Sequence, residues 1–170
     1  MLRKAKSTEI EKIISIIEDG VKFLKQQGIN QWQHGSPGRS DVENDIKQGT
    51  SYVYELDGEI VGTAMLNTYD ADYEKYPTLW TSCNNYLVIH RLAIKEECRS
   101  QGVGHKFMND IILFAKENNV EYIRIDTHKD NKIMRKYLRK NGFKELDEIK
   151  LSMKNISDDK ERTAYELKIE

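Results

Sequence analysis

The sequence predicts a mixed α/β (α+β) fold, and three observations carry that prediction. Between residues 7 and 27 apolar side chains recur at three- and four-residue steps, which lines one face of a helix. Two runs rich in β-branched and aromatic residues, SYVYEL (51–56) and EIVGTAML (59–66), flank Asp57-Gly58, the dipeptide favoured in two-residue hairpin turns because both positions take positive φ. From residue 86 to residue 143 the chain reads strand, helix, strand, helix.

Each element has its own signal. In the first helix the stripe is Ile10, Ile13, Ile14, Ile17, Val21 and Leu24, with Thr8 and Glu11 at capping-box spacing and Gly28 at the end. A shorter helix is expected after SPGRS, over DVENDIKQG (41–49), with Ser40 or Asp41 as its cap. The two runs that meet at Asp57-Gly58 form an antiparallel pair. Residues 68–85, TYDADYEKYPTLWTSCNN, show neither period; so long a connection is characteristic of a lid or binding loop. YLVIHRLAI (86–94) is nearly continuous in apolar residues, as a strand covered on both faces would be. Phe107, Met108, Ile111, Phe114 and Ala115 give the next helical stripe, and YIRIDT (122–127) the next strand. DNKIMRKYLRKNGF (130–143) reads as a helix capped by Asp130 and closed by Asn141-Gly142. RTAYELKI (162–169), after the charged turn SDDKE, alternates as a last strand. No repeat, low-complexity tract or linker interrupts the 170 residues, so residues 1–170 are expected to form one domain.

With 28 acidic and 27 basic residues the formal net charge is −1, which provides no global field for nucleic acid or an anionic membrane. The basic helix KIMRKYLRK, with Arg99 and Lys106, is all that would favour nucleic acid, and such charges ordinarily form a solvated face. Cys83 and Cys98 make no disulfide framework and lack a base or metal partner in sequence. No C-x-x-C, paired-His or H-E-x-x-H spacing suggests a metal. The start carries no signal-peptide apolar region, and nowhere do about 18 apolar residues run together. A soluble protein of the reducing cytoplasm is the expectation; homo-oligomerisation is left open.

The densest chemical signal is CRSQGVGHKF (98–107), which follows the 86–94 strand and opens a helix. A glycine turn there leaves backbone N–H groups unpaired at the helix N-terminus, where the macrodipole adds positive charge, and phosphate binds in such places. Gly102 and Gly104 lack a Cβ, so a pyrophosphate could approach the backbone closely, and Arg99 could add a charge-assisted contact. Two nucleotide signatures fail: the third glycine of G-x-G-x-x-G falls on Phe107, and G-x-x-x-x-G-K-[ST] has no match.

The stretch resembles the GNAT superfamily of acetyl-CoA-dependent N-acetyltransferases. Its R/Q-x-x-G-x-G/A signature after an R-L-A-V-like strand is matched by Arg91-Leu92-Ala93-Ile94 and Arg99-Ser100-Gln101-Gly102-Val103-Gly104. A second block of that family, an Asn followed by a helix and Gly-Phe, is similar to Asn131 through Gly142-Phe143. The resemblance implies a mixed, mostly antiparallel sheet flanked by helices, with the strand before the glycine turn splayed from its neighbour and pantetheine in the gap. It implies acetyl-CoA as cosubstrate and an amine as acceptor. The backbone of Leu92 and Ile94 would meet pantetheine, with the Leu92 N–H on the thioester carbonyl. Arg99, Gln101, Gly102, Val103, Gly104 and His105 would hold the diphosphate, and Asn131 would bond the pantetheine arm.

Amine acetylation needs a neutral amine, and an alkyl ammonium of pKa about 10.4 must first lose a proton. His90, inside the apolar strand, is the candidate base, resembling the histidine of serotonin N-acetyltransferase at the matching position; the alternative is a strand histidine satisfied by a hydrogen bond. The glutamate that some relatives carry two residues earlier is replaced by Val88. The tyrosine that many relatives use as leaving-group acid is replaced by Leu138; Tyr137 comes one residue early, roughly 100° around the helix, and either supplies the acid or packs in the core beside Ile133 and Met134. Asp126 and His128 end a strand close to the gap; they either touch the substrate amine or, the favoured reading, serve capping and turn chemistry before Asp130. Trp32, Tyr69, Tyr73, Tyr76 and Trp80 either wall an acceptor pocket or simply pack a long loop. An N-acetyltransferase working by direct transfer is thus the leading expectation; a non-catalytic acyl-CoA-binding or regulatory domain is the alternative.

Overall fold

The computed structural model describes residues 1–82, 85–152 and 157–170. Asp57 and Gly58 both adopt positive φ, 49° and 79°, and this turn joins β2 (Ser51–Leu56) to β3 (Glu59–Asn67) as an antiparallel hairpin. The hairpin extends on one side to a three-residue edge strand, β1 (Leu2–Lys4). On the other side β3 pairs antiparallel with β4 (Tyr86–Ile94). Beyond lie β5 (Tyr122–Thr127), β7 (Glu161–Lys168) and, at the far edge, β6 (Lys144–Lys150). The sheet order is β1-β2-β3-β4-β5-β7-β6, and among the described residues only β4 and β5 run parallel.

Among the described residues four α-helices flank this seven-stranded sheet: α1 (Ile10–Gln26), α2 (Arg39–Lys47), α3 (Val103–Glu117) and α4 (Lys132–Lys140). The first helix follows a 3-10 turn, Ser7–Glu9, in which Glu9 accepts from the Lys6 N–H at 2.8 Å; Glu9 thus takes the capping role expected of Thr8 and Glu11. The second helix begins at Arg39, two residues before the expected start, with Gly38 at its cap. Asp41 sits inside the first turn and reaches back to the Gly38 N–H at 2.8 Å. The fourth is capped by Asn131, whose Oδ1 accepts from the Met134 N–H at 3.1 Å, rather than by Asp130. None among the described residues is long and apolar enough to cross a membrane.

The strands' alternation divides their side chains between two faces. On one face Leu87, Ile89, Ile123, Ile125 and Tyr165 pack against Phe107, Met108 and Ile111 of α3 and Leu138 of α4. On the other, Val53, Ile60 and Ala93 pack under Ile13, Ile16, Ile17 and Val42 of the first two helices. The remainder of that second face, Tyr86, Val88, Tyr122 and Ala164, is covered by residues 68–82 through Tyr73 and Trp80. The long aperiodic segment is therefore part of the core.

Arg124 and Glu166 anchor it. The Arg124 guanidinium lies 4.6 Å from the Trp80 ring centre and 3.9 Å from that of Tyr86. It donates to the Ser82 carbonyl and faces Glu166 Oε1 at 3.4 Å. The second Glu166 oxygen accepts the Thr81 N–H at 3.0 Å.

Candidate active site

Strand β4 carries the site because of two irregularities in its C-terminal half, which stays paired with β3 on one edge but not with β5 on the other. The first is a bulge. Met65 faces His90 while Thr63 faces Ala93, so β4 spends one more residue than β3 over that span, and Arg91 takes φ +52°. An inserted residue reverses the alternation beyond it. Val88 lies in the core cluster under the 68–82 segment, whereas beyond the bulge Leu92 and Ile94 pack on the α3 face and Ala93 under α1. Arg91 is drawn to α2, its Nη1 2.8 Å from Asp45 Oδ2.

The second irregularity is a splay. The parallel pairing of β4 with β5 covers only Tyr86–Val88 against Tyr122–Arg124. From Ile89 to Ile94 the β5-facing edge of β4 has no strand partner among the described residues. That is the gap expected between these strands.

At the end of the splay the chain makes a 3-10 turn, Glu96–Cys98, and then the glycine turn. Ser100 and Gly102 take φ +61° and +77°, and the first bond into α3 is Lys106 N–H to the Gly102 carbonyl at 3.2 Å. The N–H groups of residues 101–105 have no protein acceptor among the described residues, as the opening of a helix requires. A Cβ on Gly102 would meet nothing within 4 Å, so its requirement is the left-handed conformation.

Gly104 differs from expectation. A Cβ there would come within 3.1 Å of Ile94 Cδ1 and 3.2 Å of Tyr137 Cε2, so this glycine serves close packing inside the protein. Arg99 stacks on Phe23 of α1, 4.4 Å from the ring centre. The Gln101 side chain donates to the Glu97 carbonyl at 2.7 Å, and His105 Nδ1 lies 2.8 Å from Asn141 Oδ1. Val103 is buried under the turn. Asn131 is buried, and its cap uses Oδ1 alone, leaving Nδ2 without a partner among the described residues.

His90 sits on the face covered by the 68–82 segment, 26 % exposed, with Nε2 2.5 Å from Asp70 Oδ2. Burial raises the Asp70 carboxyl, but hydrogen bonds from His90 and the N–H groups of Tyr73 and Asp72 outweigh it and hold the group below its ordinary range. Beside it, the Tyr73 ring centre is 5.7 Å from that of His90, and the Tyr73 hydroxyl donates to Asp126 Oδ2 at 2.5 Å. Burial, then Asp126, pushes that phenol well up. Asp126 Oδ1 lies 3.6 Å from Arg162 Nε. His128 is buried, accepting the Asp130 N–H on Nδ1 at 3.1 Å, with Nε2 2.7 Å from Asp159, so it is a turn residue.

These contacts bear on several of the alternatives left open by the sequence. While Ile133 is exposed, Tyr137 packs against the core with Met134, as one of the two alternatives had it. It lies against Gly104, donating its hydroxyl to the Gly104 carbonyl at 2.7 Å, and burial raises its pKa. Leu138 is the fully buried member of that helix. Of the aromatics, Tyr73 and Trp80 are core, Tyr76 accepts the Lys150 N–H at 2.9 Å, Trp32 packs on Gly20, and Tyr69 is exposed. Cys98 is a free thiol whose pKa is raised by burial; Cys83 lies outside the described residues. Asp70 and the Arg91 bulge are features of the site that periodicity did not find; Asp70 precedes the 3-10 turn Tyr73–Lys75 as a capping aspartate would, the one local signal available.

A cavity of about 260 Å³ lies elsewhere, between α3 and the sheet, lined by Tyr52, Leu66, Leu87 and Phe114. It is built from the opposite ends of β4 and α3 from the glycine turn, and neither His90 nor any residue of the turn lines it.

Comparison with solved structures finds the same architecture repeatedly. A GNAT-family acetyltransferase from Streptococcus agalactiae 2603 aligns with TM-score 0.86 and 28% identity, over 100% of this chain and 95% of that one. A GNAT-family acetyltransferase from Listeria monocytogenes 4b F2365 aligns with TM-score 0.72 and 20% identity, over 99% and 94%. The ribosomal-protein-alanine N-acetyltransferase of Brucella melitensis aligns with TM-score 0.71 and 16% identity, over 99% of both chains; at these last two identities the likeness is one of fold. No curated protein matches the sequence. Residues 18–143, well over half of the chain, match the acetyltransferase (GNAT) family, and with the splayed strands and glycine turn in place the chain belongs to that family.

Proposed function

We propose that residues 1–170 form one acetyl-CoA-dependent N-acetyltransferase unit acting on a primary amine. The observation that carries this reading is the run of N–H groups at residues 101–105 that have no acceptor, set at the end of a strand edge that has no strand partner, both among the described residues. The residues present fit coenzyme A: the turn offers N–H donors and helix-terminal positive charge to a diphosphate, with Arg99 beside it. The free edge of β4 at Leu92 and Ile94 offers backbone groups to pantetheine amides, and Asn131 Nδ2 offers one donor more.

Bound there, acetyl-CoA supplies an activated acyl group that a neutral amine attacks directly within a ternary complex. The chain's own part is to remove the amine's proton and to stabilise negative charge with fixed donors. His90 is the base, and the Leu92 N–H, at the bulge where the ladder is broken, is the donor for the developing oxyanion. Tyr137 is a positioning residue rather than the acid, because its one proton is committed to Gly104.

The test is thiol release from acetyl-CoA over a panel of polyamines, aminoglycosides, amino acids and peptides, beside calorimetric titration of coenzyme A. Binding with acceptor-dependent release is the expected outcome. Binding without release across the panel would favour a non-catalytic acyl-CoA-binding domain, and absence of binding would sink both.

A further inference from the structure

We propose that Asp70 is the positioning residue of His90, fixing the imidazole with its proton on Nε2 so that the Nδ1 lone pair is free to take the acceptor's proton. The inference rests on the reading of His90 as base and adds to it a partner from a segment that shows no secondary-structure period.

Asp70 is clamped at both oxygens. Oδ2 meets His90 Nε2 at 2.5 Å, and Oδ1 accepts the N–H groups of Asp72 and Tyr73 at 2.8 and 3.0 Å. A carboxylate held ionised in this way can only accept. The hydrogen between Asp70 and His90 is therefore carried by Nε2, and in the neutral ring the lone pair belongs to Nδ1, which has no partner among the described residues. The segment itself is pinned: Trp80 Nε1 donates to the Tyr73 carbonyl at 3.0 Å, Tyr73 donates to Asp126, and Arg124 sits between Trp80 and Tyr86. Other charged or titratable groups around the imidazole include Tyr73 from the same segment, Asp45 from α2, and Arg91, the next residue on β4.

The proton step balances simply. An N–H bond of the acceptor ammonium breaks, its electron pair stays on the amine nitrogen, and the proton forms a bond to Nδ1, giving an imidazolium whose Nε2–H faces the Asp70 carboxylate. Asp70 thus sets the tautomer and stabilises the cation formed. It does not touch the acceptor.

The experiment pairs long-range ¹H–¹⁵N NMR of the imidazoles with steady-state kinetics, using His90→Gln to assign the ring. Asp70→Asn keeps Oδ1 for Asp72 and Tyr73 but sets an NH₂ donor against Nε2, so the proton must move to Nδ1 and block the lone pair. We expect an Nε2–H tautomer in the native protein, Nδ1–H in Asp70→Asn, and kcat down by about ten- to a hundredfold with KM for acetyl-CoA unchanged. Asp70→Glu should recover part of that loss. A native ring protonated on Nδ1 overturns the proposal, and this does not depend on Asp70→Asn folding, since here His90→Gln serves only to assign the ring. So does an Asp70→Asn enzyme with native rate while His90→Gln is impaired, which would leave the base assignment standing. Indifference of kcat to both substitutions would instead remove His90, and Asp70 with it, from the chemistry.

Discussion

Replacing Arg124 with Met tests how the site's covering segment is held. Arg124 and Glu166 are 1 % and 4 % exposed, and their charges are 3.4 Å apart. Removing one partner of a buried pair strands the other, at a cost of about 3–5 kcal/mol. The two aromatic faces that sandwich the guanidinium add up to about 2 kcal/mol, part of which the Met side chain returns by packing on the same rings. A loss of about 4 kcal/mol is therefore expected, against a total stability of about 5–15 kcal/mol for a protein of this kind. In a chain of 170 residues that corresponds to a melting temperature lower by roughly 8–16 °C. Urea unfolding followed by tryptophan fluorescence reads the loss. Arg124→Met/Glu166→Gln, which removes the stranded charge, should recover about half of it. Because Arg124 also holds the Ser82 carbonyl, the single variant should become open to proteolysis within residues 68–82. A loss under about 1 kcal/mol, the scale of an exposed ion pair, or a double variant no more stable than the single one, would refute the idea that this pair anchors the segment.

Other substitutions separate the roles of neighbouring residues. His90→Gln should lower kcat about a hundredfold while KM for acetyl-CoA stays put; an unaltered rate in the thiol-release assay would remove the base. Tyr137→Phe should cost about 1 kcal/mol of stability by freeing the Gly104 carbonyl, with a rate loss far short of a hundredfold; a hundredfold loss would return the tyrosine to the chemistry as an acid. Gly102→Val points its side chain into open space from a φ of +77°, so it should weaken coenzyme A binding by about tenfold or more in calorimetry while the chain stays folded. Gly104→Val, with Ile94 and Tyr137 already at Cβ contact distance, should instead show first as lost thermal stability; the reverse assignment of these two losses would contradict the geometry. Asp70 and Asp159 have depressed carboxyl pKa values, Asp159 chiefly through its bond with His128. Their stabilisation is complete above the unfolded carboxylate pKa of about 3.9 and is lost as pH falls through the folded values. Acid unfolding followed by circular dichroism should accordingly be shallower below that pH in Asp159→Asn, and an unchanged acid branch would show that the His128 pair contributes nothing.

Elements with a strong local signal were legible in the sequence. The Asp57-Gly58 turn located the hairpin because few residues tolerate positive φ twice in succession, though the register shift between Tyr54 and Glu55 carried no such signal, and the strands at 86–94 and 122–127 match their apolar runs. β1 is three residues long, and β6 reads KELDEIK with Ile149 as its buried side chain; short or solvent-facing edge strands carry no alternation to find. The glycine turn was readable because a helix opening is a local event. The bulge at Arg91 was not, since it is enforced by pairing with β3 and by the Asp45 bond, both distant in sequence. Asp70 meets His90, 20 residues further on, from within a segment that shows no period. For Tyr137, a 100° displacement around the helix indicated that it faces elsewhere, but what it faces depended on the closeness of α3 that Gly104 permits.

Amide chemical shifts of the ¹⁵N-labelled protein during titration with coenzyme A test the cofactor assignment most directly. The largest and saturable changes should fall on residues 101–105, with smaller ones at Leu92, Ile94 and Asn131. Changes centred on Tyr52, Leu66, Leu87 and Phe114, the lining of the cavity at the opposite end of β4, with residues 101–105 unmoved, would contradict it.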